Sequence, residues 1–172
     1  MSRDEANQRQ RETEIARRVL RHWHEAVPND RMAHLVKDAM RALHRSLQMR
    51  LARYEVQLGH WTFLRILWQR DGLTKRELSI EAGMSEPTTV VALRAMESLG
   101  YVTLEQREGN RKNIYVVLTP LGRRMEKKLV PLAEEVNTLA LEGVTAPDQA
   151  ALRRALLAII DNLARDEGAM GR

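Results

Sequence analysis

The sequence predicts a mainly helical fold carrying one small β-hairpin. Three observations predict it. Apolar residues recur at steps of three and four along most of the chain. Two β-rich segments, 101–108 and 112–119, flank a Gly109-Asn110 turn signal. Glycines, prolines and capping residues cut the remainder into helices of unequal length.

The first 21 residues are polar and lack both Gly and Pro, so they read as a helix-permissive extension, frayed or docked on a partner. "AVPND" (26–30) breaks the chain, and Asp30 is a candidate N-cap. Leu35, Val36, Ala39, Met40, Leu43, Leu47, Leu51 and Tyr54 then form one apolar stripe on a long helix that needs another surface to cover it. Gly59 in "QLGH" is the expected stop, and "HWTFLRILWQR" is a short apolar helix. "DGLT" is a turn whose Thr74 caps "KRELSIEA". "GMSEP" turns the chain again, with Ser85 as cap and Pro87 in the first turn, where its missing N–H costs little. "TTVVALRAMESLG" is the next helix, ended by Gly100. After the hairpin, Thr119-Pro120 starts a long helix with apolar Leu121, Met125, Leu129, Leu132, Val136 and Leu139. Pro131 is expected to kink or break it. "EGVTAPD" leads to a last helix bearing Leu152, Leu156, Ile159, Ile160 and Leu163, with Thr145 and Asp148 at near-capping-box spacing.

Long helix, three short helices, hairpin, two helices: this order is a winged helix-turn-helix flanked by N- and C-terminal helices. In a helix-turn-helix the second helix enters a major groove, and the wing lies beside it. The balance of charge agrees. Lys and Arg exceed Asp and Glu by 5 in 172 residues, with a sequence pI of about 10.0, which favours a polyanionic partner. The hydrophobic share, 44%, suffices for a core. The absence of cysteine removes disulfides, thiolate nucleophiles and cysteine zinc sites. No apolar run reaches the roughly 18 residues needed to span a bilayer, and the N-terminus has no apolar signal core, so a soluble, cytoplasmic protein without membrane association is expected. No Ser-His-Asp arrangement and no glycine-rich phosphate loop emerges, so no enzyme and no cofactor are expected. Of His22, His24, His34, His44 and His60, only the first two lie close, and an i, i+2 pair does not share a helix face; no metal site is expected.

The chain resembles the MarR family of bacterial transcription regulators. The resemblance rests on "LTKRELSIEAGMSEPTTVVALRAMESLGYV" (73–102), the wing "REGNRKNIYVVLT" (107–119) and "LTPLG" (118–122), and spans roughly 35–163. It implies a homodimer joined through its terminal helices, a palindromic operator in double-stranded DNA, and release by a small aromatic ligand. The expected organisation is a polar N-terminal extension over 1–29, longer than is usual in the family, then, as the resemblance implies, a dimerisation helix over 30–58, the winged helix-turn-helix over 59–119 and C-terminal dimerisation helices over 120–172. Three residue pairs depart from the family's common residues. Val90-Val91 stands for a Thr-Arg pair, Arg94-Ala95 for Asp-Arg, and Asn110-Arg111 for the wing's Asp-x-x-Arg or Asp-Arg.

The DNA-binding candidates follow from this frame. Arg111 and Lys112, with Asn110, sit at the wing for phosphate or minor-groove contact, against the alternative of solvated turn cations offset by Glu108. In the recognition helix, Thr89, Ala92, Leu93, Met96 and Leu99 fit a core face, leaving Glu86, Thr88, Val91 and Arg94 outside. Ser85 and Thr88 are short donors at a helix N-terminus, where phosphate is favoured; plain capping is the other reading. Val90 or Val91 could touch thymine methyls, unless buried. Lys75 and Arg76 open the preceding helix as phosphate anchors or as a solvated face. Arg123, Arg124, Lys127 and Lys128 read as solvated, near the DNA flank or facing Glu134 and Glu135. For an effector, His44, His60 and Trp61 could stack on and hydrogen-bond a planar acid whose carboxylate Arg41 would meet; core or interface packing is the alternative. The function expected is a repressor released by a small aromatic carboxylate or related phenolic ligand. The alternative is a winged-helix protein–protein interaction module without operator binding.

Overall fold

The computed structural model of the chain describes residues 3–25, 31–107 and 110–170; Asp30, the expected cap, and Glu108 lie outside them, as do the side chains of 3–12, 16 and 110–112. Helix α1 spans Arg3–Glu25 and α2 spans Met32–Leu51, followed by a 3-10 turn, Ala52–Tyr54. Then come α3 (Leu58–Gln69), β1 (Leu73–Thr74), α4 (Lys75–Ala82), α5 (Glu86–Ser98), β2 (Val102–Arg107), β3 (Asn110–Leu118), α6 (Pro120–Ala140) and α7 (Ala146–Met170). The chain divides into two compact units, Met1–Val136 and Asn137–Arg172. Most of α6 therefore belongs with the winged helix rather than with the last helix, because Met125, Leu129 and Val136 enter the first unit's core.

That core is built from α3 outward. Phe63, Leu64 and Leu67 of α3 are fully buried with Leu51, Leu78, Leu93, Met96, Val102, Val116 and Leu129. Capping fixes the short helices. Thr74 accepts from the Glu77 N–H while Glu77 accepts from the Thr74 N–H at 2.8 Å, a complete capping box at the start of α4. The Thr74 hydroxyl, donating to the Glu77 carboxylate at 2.7 Å, and the Thr74 N–H hold that carboxyl below its ordinary range. Gly83 and Gly100, both at positive φ, end α4 and follow α5 as expected of glycines there.

The sheet has three antiparallel strands in the order β1-β3-β2. The short β1 is an addition to the hairpin that sequence reasoning anticipated. Leu73 pairs with Val116 and Thr74 with Tyr115, so "LT" before α4 is both strand and cap.

Two expectations are corrected. Gly59 does not stop the long helix; it lies inside α3. The stop comes earlier, at Glu55 in the left-handed region with φ 57°, where the Val56 N–H returns to the Leu51 carbonyl at 3.2 Å. Gln48 seals this corner, its amide oxygen accepting from the Leu58 N–H at 2.7 Å. Pro131 does not break α6, which runs through it. Pro131 faces solvent, so water can satisfy the carbonyl that its missing N–H leaves free.

The α2 stripe divides by exposure. Leu47 and Leu51 are buried in the core, whereas Met32, Leu35, Val36 and Met40 are exposed. Trp23 of α1 donates its indole N–H to Asp38 of α2 at 3.1 Å, so the N-terminal extension is a helix docked on α2. In the second unit, Thr145 caps α7 through Asp148, and α7 exposes Leu152, Leu156, Leu157, Ile160 and Leu163. Among the described residues no helix is long and apolar enough to cross a membrane.

Candidate nucleic-acid interface

Helix α5 separates into two faces. Thr89, Leu93 and Met96 are buried, with the Thr89 hydroxyl donating back to the Ser85 carbonyl at 3.0 Å. Glu86, Thr88, Val91 and Arg94 are uncovered, as their spacing predicts. Val91 is 71% exposed and Val90 half-buried, which settles which valine is free; Leu99, expected inside, is exposed. Ser85 caps α5 and its hydroxyl lies 2.9 Å from that of Thr88, so both are organised at the helix start.

Arg76 is exposed and Lys75 half-buried at the first turn of α4. Lys75, Arg76 and Arg94 enter none of the described ion pairs, which join Arg50 to Glu135, Arg70 to Glu81, Arg123 to Asp71 and Arg165 to Asp161. Among the described residues their charge is thus uncommitted. Arg123 is the reverse: read as solvated from sequence, it pairs with Asp71. Glu135, held below the usual carboxylate range by Arg50, is likewise committed. The backbone of Asn110, Arg111 and Lys112 runs in β3 beside the hairpin turn rather than in it, with Asn110 opposite Arg107; their side chains lie outside the described residues.

The wing is anchored at its base. Asp71 accepts from the Leu118 N–H, and the Thr119 hydroxyl donates to the Gly100 carbonyl at 2.6 Å and accepts from the Gly122 N–H at 3.0 Å. Trp68 donates to the Gly122 carbonyl at 3.0 Å. A Cβ at Gly122 would collide with the Tyr101 carbonyl oxygen, so "LTPLG" requires its glycine for close approach rather than for flexibility.

The four effector candidates are divided. His60 and Trp61 are buried in α3, Trp61 edge-on to Trp68 with centroids 5.7 Å apart. Arg41 and His44 are exposed on α2. Among the described residues no hydrogen bond or ring contact joins His44 to His60 or Trp61. Among the described residues the His60 Nδ1 has no hydrogen-bond partner, and burial lowers its pKa. A shallow cleft runs elsewhere, along α1, lined by Glu14, Ile15, Arg17, Arg18 and Arg21. Among the described residues, no three His, Asp or Glu side chains gather as a metal site.

This architecture defines the class: a winged helix-turn-helix with flanking long helices. Residues 56–114 match the MarR family model. The transcriptional regulator TtmR of Methylorubrum extorquens is 29% identical over 131 residues, which are 75% of this chain and 63% of that one. The chain thus spans less than two thirds of that relative's length. Two solved structures share the fold. A MarR-family regulator from Listeria monocytogenes, complexed with a 26-mer DNA, superposes with a TM-score of 0.71 at 21% identity over 78% of this chain and 90% of that one. BpsR of Bordetella bronchiseptica, whose DNA binding is regulated by 6-hydroxynicotinic acid, gives 0.70 at 16% identity over 76% and 98%. Over residues 56–114 the chain is thus similar to the MarR family, and its fold is that of the MarR-family structures.

Proposed function

We propose that the protein is a DNA-binding repressor of transcription, acting as a homodimer on a palindromic operator. The observation that carries this reading is the two-faced α5. Its buried side is locked into the core, while Thr88, Val91 and Arg94 stand uncovered on the other side, beside the uncommitted cations of α4. Ser85, Thr88, Lys75 and Arg76 are the phosphate contacts, Arg94 and Val91 reach the bases, and Asn110, Arg111 and Lys112 lie against the backbone or in the minor groove. The exposed apolar residues of α2 and, separately, of α7 supply the dimer surface. A two-fold dimer reads half-sites about one helical turn apart.

Titration with duplex DNA at several salt concentrations tests the reading. Affinity should fall steeply with salt, and Arg111→Ala should lower the slope by about one unit without changing fold or assembly. Salt-independent or absent DNA binding would instead favour a protein–protein module. Leu156→Asp or Leu163→Asp should break the dimer, because it places a carboxylate in an apolar contact; sedimentation of a wild-type, DNA-competent monomer would refute the assembly.

We infer further that a small aromatic carboxylate releases the operator by binding near His44, His60 and Trp61, with Arg41 meeting its charge. The unpartnered Nδ1 of buried His60 supports this reading, since it is a polar atom lacking what a ligand would supply. A coupling of about 1–3 kcal/mol would weaken operator binding roughly 5- to 150-fold, and operator would weaken ligand binding equally. Calorimetry with and without operator, in wild type, His44→Ala and His60→Gln, measures both. Normal inducer binding by both variants would exclude this pocket.

A further inference from the structure

Arg107 closes β2 at a shift in the β2–β3 register between Gln106 and Arg107. Such an irregularity re-aims a side chain. The Arg107 guanidinium carbon lies 3.8 Å from the centroid of the Tyr115 ring. An arginine over a tyrosine face is attracted by the ring's quadrupole and held in one orientation. The guanidinium also reaches the turn before β1: a Cβ built on Gly72, at φ +73°, would lie 2.9 Å from Arg107 Nη2. The glycine leaves that space to the arginine.

The position of this seat matters. Tyr115 pairs with Thr74, the residue immediately before Lys75 and Arg76. Arg107 is therefore stacked one strand away from the cationic start of α4, and its strand leads into the wing. Arg107 is exposed and, among the described residues, pairs with no carboxylate. Glu105 shares its strand, but that carboxylate accepts from the Thr103 hydroxyl at 2.9 Å. Stacking occupies one face of the guanidinium, and among the described residues no acceptor is bonded to its N–H groups, which suits a planar fork of donors for an anion.

We propose that Arg107, seated on Tyr115 against Gly72, binds a backbone phosphate of duplex DNA and joins the wing to the start of α4 in one cationic edge. The proposal rests on the DNA-binding reading above. Its function depends on the aromatic seat as well as on charge: the ring fixes the fork before DNA arrives, so less side-chain freedom is lost on binding.

The test uses the full chain and its operator in salt titrations, with folding checked by circular dichroism. Arg107→Ala should weaken binding about tenfold and lower the salt slope by about one unit. Arg107→Lys should keep the slope but lose affinity, because a lysine supplies charge without the stacked fork. Replacing operator phosphates one at a time by neutral methylphosphonates should reveal one per half-site whose neutralisation costs wild type as much as Arg107→Ala does, and costs that variant nothing further. Wild-type affinity and slope in Arg107→Ala, while wild type binds DNA, would overturn the role of Arg107 alone. Should Arg107→Ala fail to fold, Arg107→Gln and the methylphosphonate series decide by the same criteria. Absence of salt-dependent binding by wild type would overturn the regulator reading and this proposal together.

Discussion

The Asp71 carboxylate accepts a hydrogen bond from the Leu118 backbone N–H at 2.9 Å, across 47 positions of sequence. The same oxygen accepts from the Gly72 N–H at 2.9 Å, and the other carboxylate oxygen pairs with Arg123. One side chain thus fastens the turn before β1, the end of the wing's return strand and the first turn of α6.

Asp71→Ala should therefore loosen the wing. Leu118 is buried, so its N–H would lose a charged acceptor with little access to water. The expected loss of stability is about 1–3 kcal/mol, with weaker operator binding as the wing shifts. Denaturant titration measures the first and DNA titration the second. An unchanged unfolding midpoint would mean that the latch contributes nothing.

Gly122→Ala should be destabilising although alanine is the better helix former. The added methyl meets backbone, the Tyr101 carbonyl oxygen, and also Leu118 Cδ2 at 3.1 Å. Backbone cannot rotate aside as a side chain can, so α6 must move off the wing. The expected cost is about 1–3 kcal/mol, read from thermal or denaturant unfolding. A gain in stability, as helix propensity alone would give, would show that this approach is not tight.

Local signals were legible where the sequence carries both partners. Thr74 with Glu77, Ser85 with Thr88 and Thr145 with Asp148 are three apart and cap as read. The faces of α5 were legible because helical periodicity assigns them. Gly59 misled because a glycine is tolerated within a helix when packing around it is strong, as it is beside His60, Trp61 and Phe63. The true stop at Glu55 carries no stop residue. Asp71 read as a turn aspartate, since nothing local announces partners at 118 and 123. Arg107 is not singled out by the sequence, because its seat on Tyr115 and Gly72 exists only once three strands are paired.

His60 should make stability depend on pH. Burial lowers its pKa from the ordinary 6.5, so the folded protein resists protonating it while the unfolded chain accepts the proton. Below about pH 6.5 the unfolded state then binds more protons, and stability falls as pH drops from there toward the folded-state value. The contribution is fully present above pH 6.5. His60→Gln cannot titrate and should flatten the fall between pH 7 and 5.5, whatever its absolute stability. Identical slopes for wild type and variant in denaturant titrations would show that His60 takes up its proton equally in both states.

Val91 should make the operator sensitive to a single methyl group. It is 71% exposed on the free face of α5, where Thr88 and Arg94 flank it one turn either side. Valine has no hydrogen-bonding group, so the major-groove feature it can recognise is the thymine C5-methyl. Replacing thymines by uracils one at a time removes that methyl and leaves every donor and acceptor unchanged. One position in each half-site should then weaken binding about fourfold, the worth of one buried methyl-sized contact. Val91→Ala should lose a similar factor on the natural operator, and little more on the uracil-bearing one, because the contact can be removed only once. Val91→Ala should leave the salt slope untouched, in contrast to the wing and α4 cations, since no phosphate charge is involved. If every uracil substitution costs wild type and Val91→Ala the same, Val91 faces no thymine, and sequence readout falls to Arg94 and the shape of the DNA.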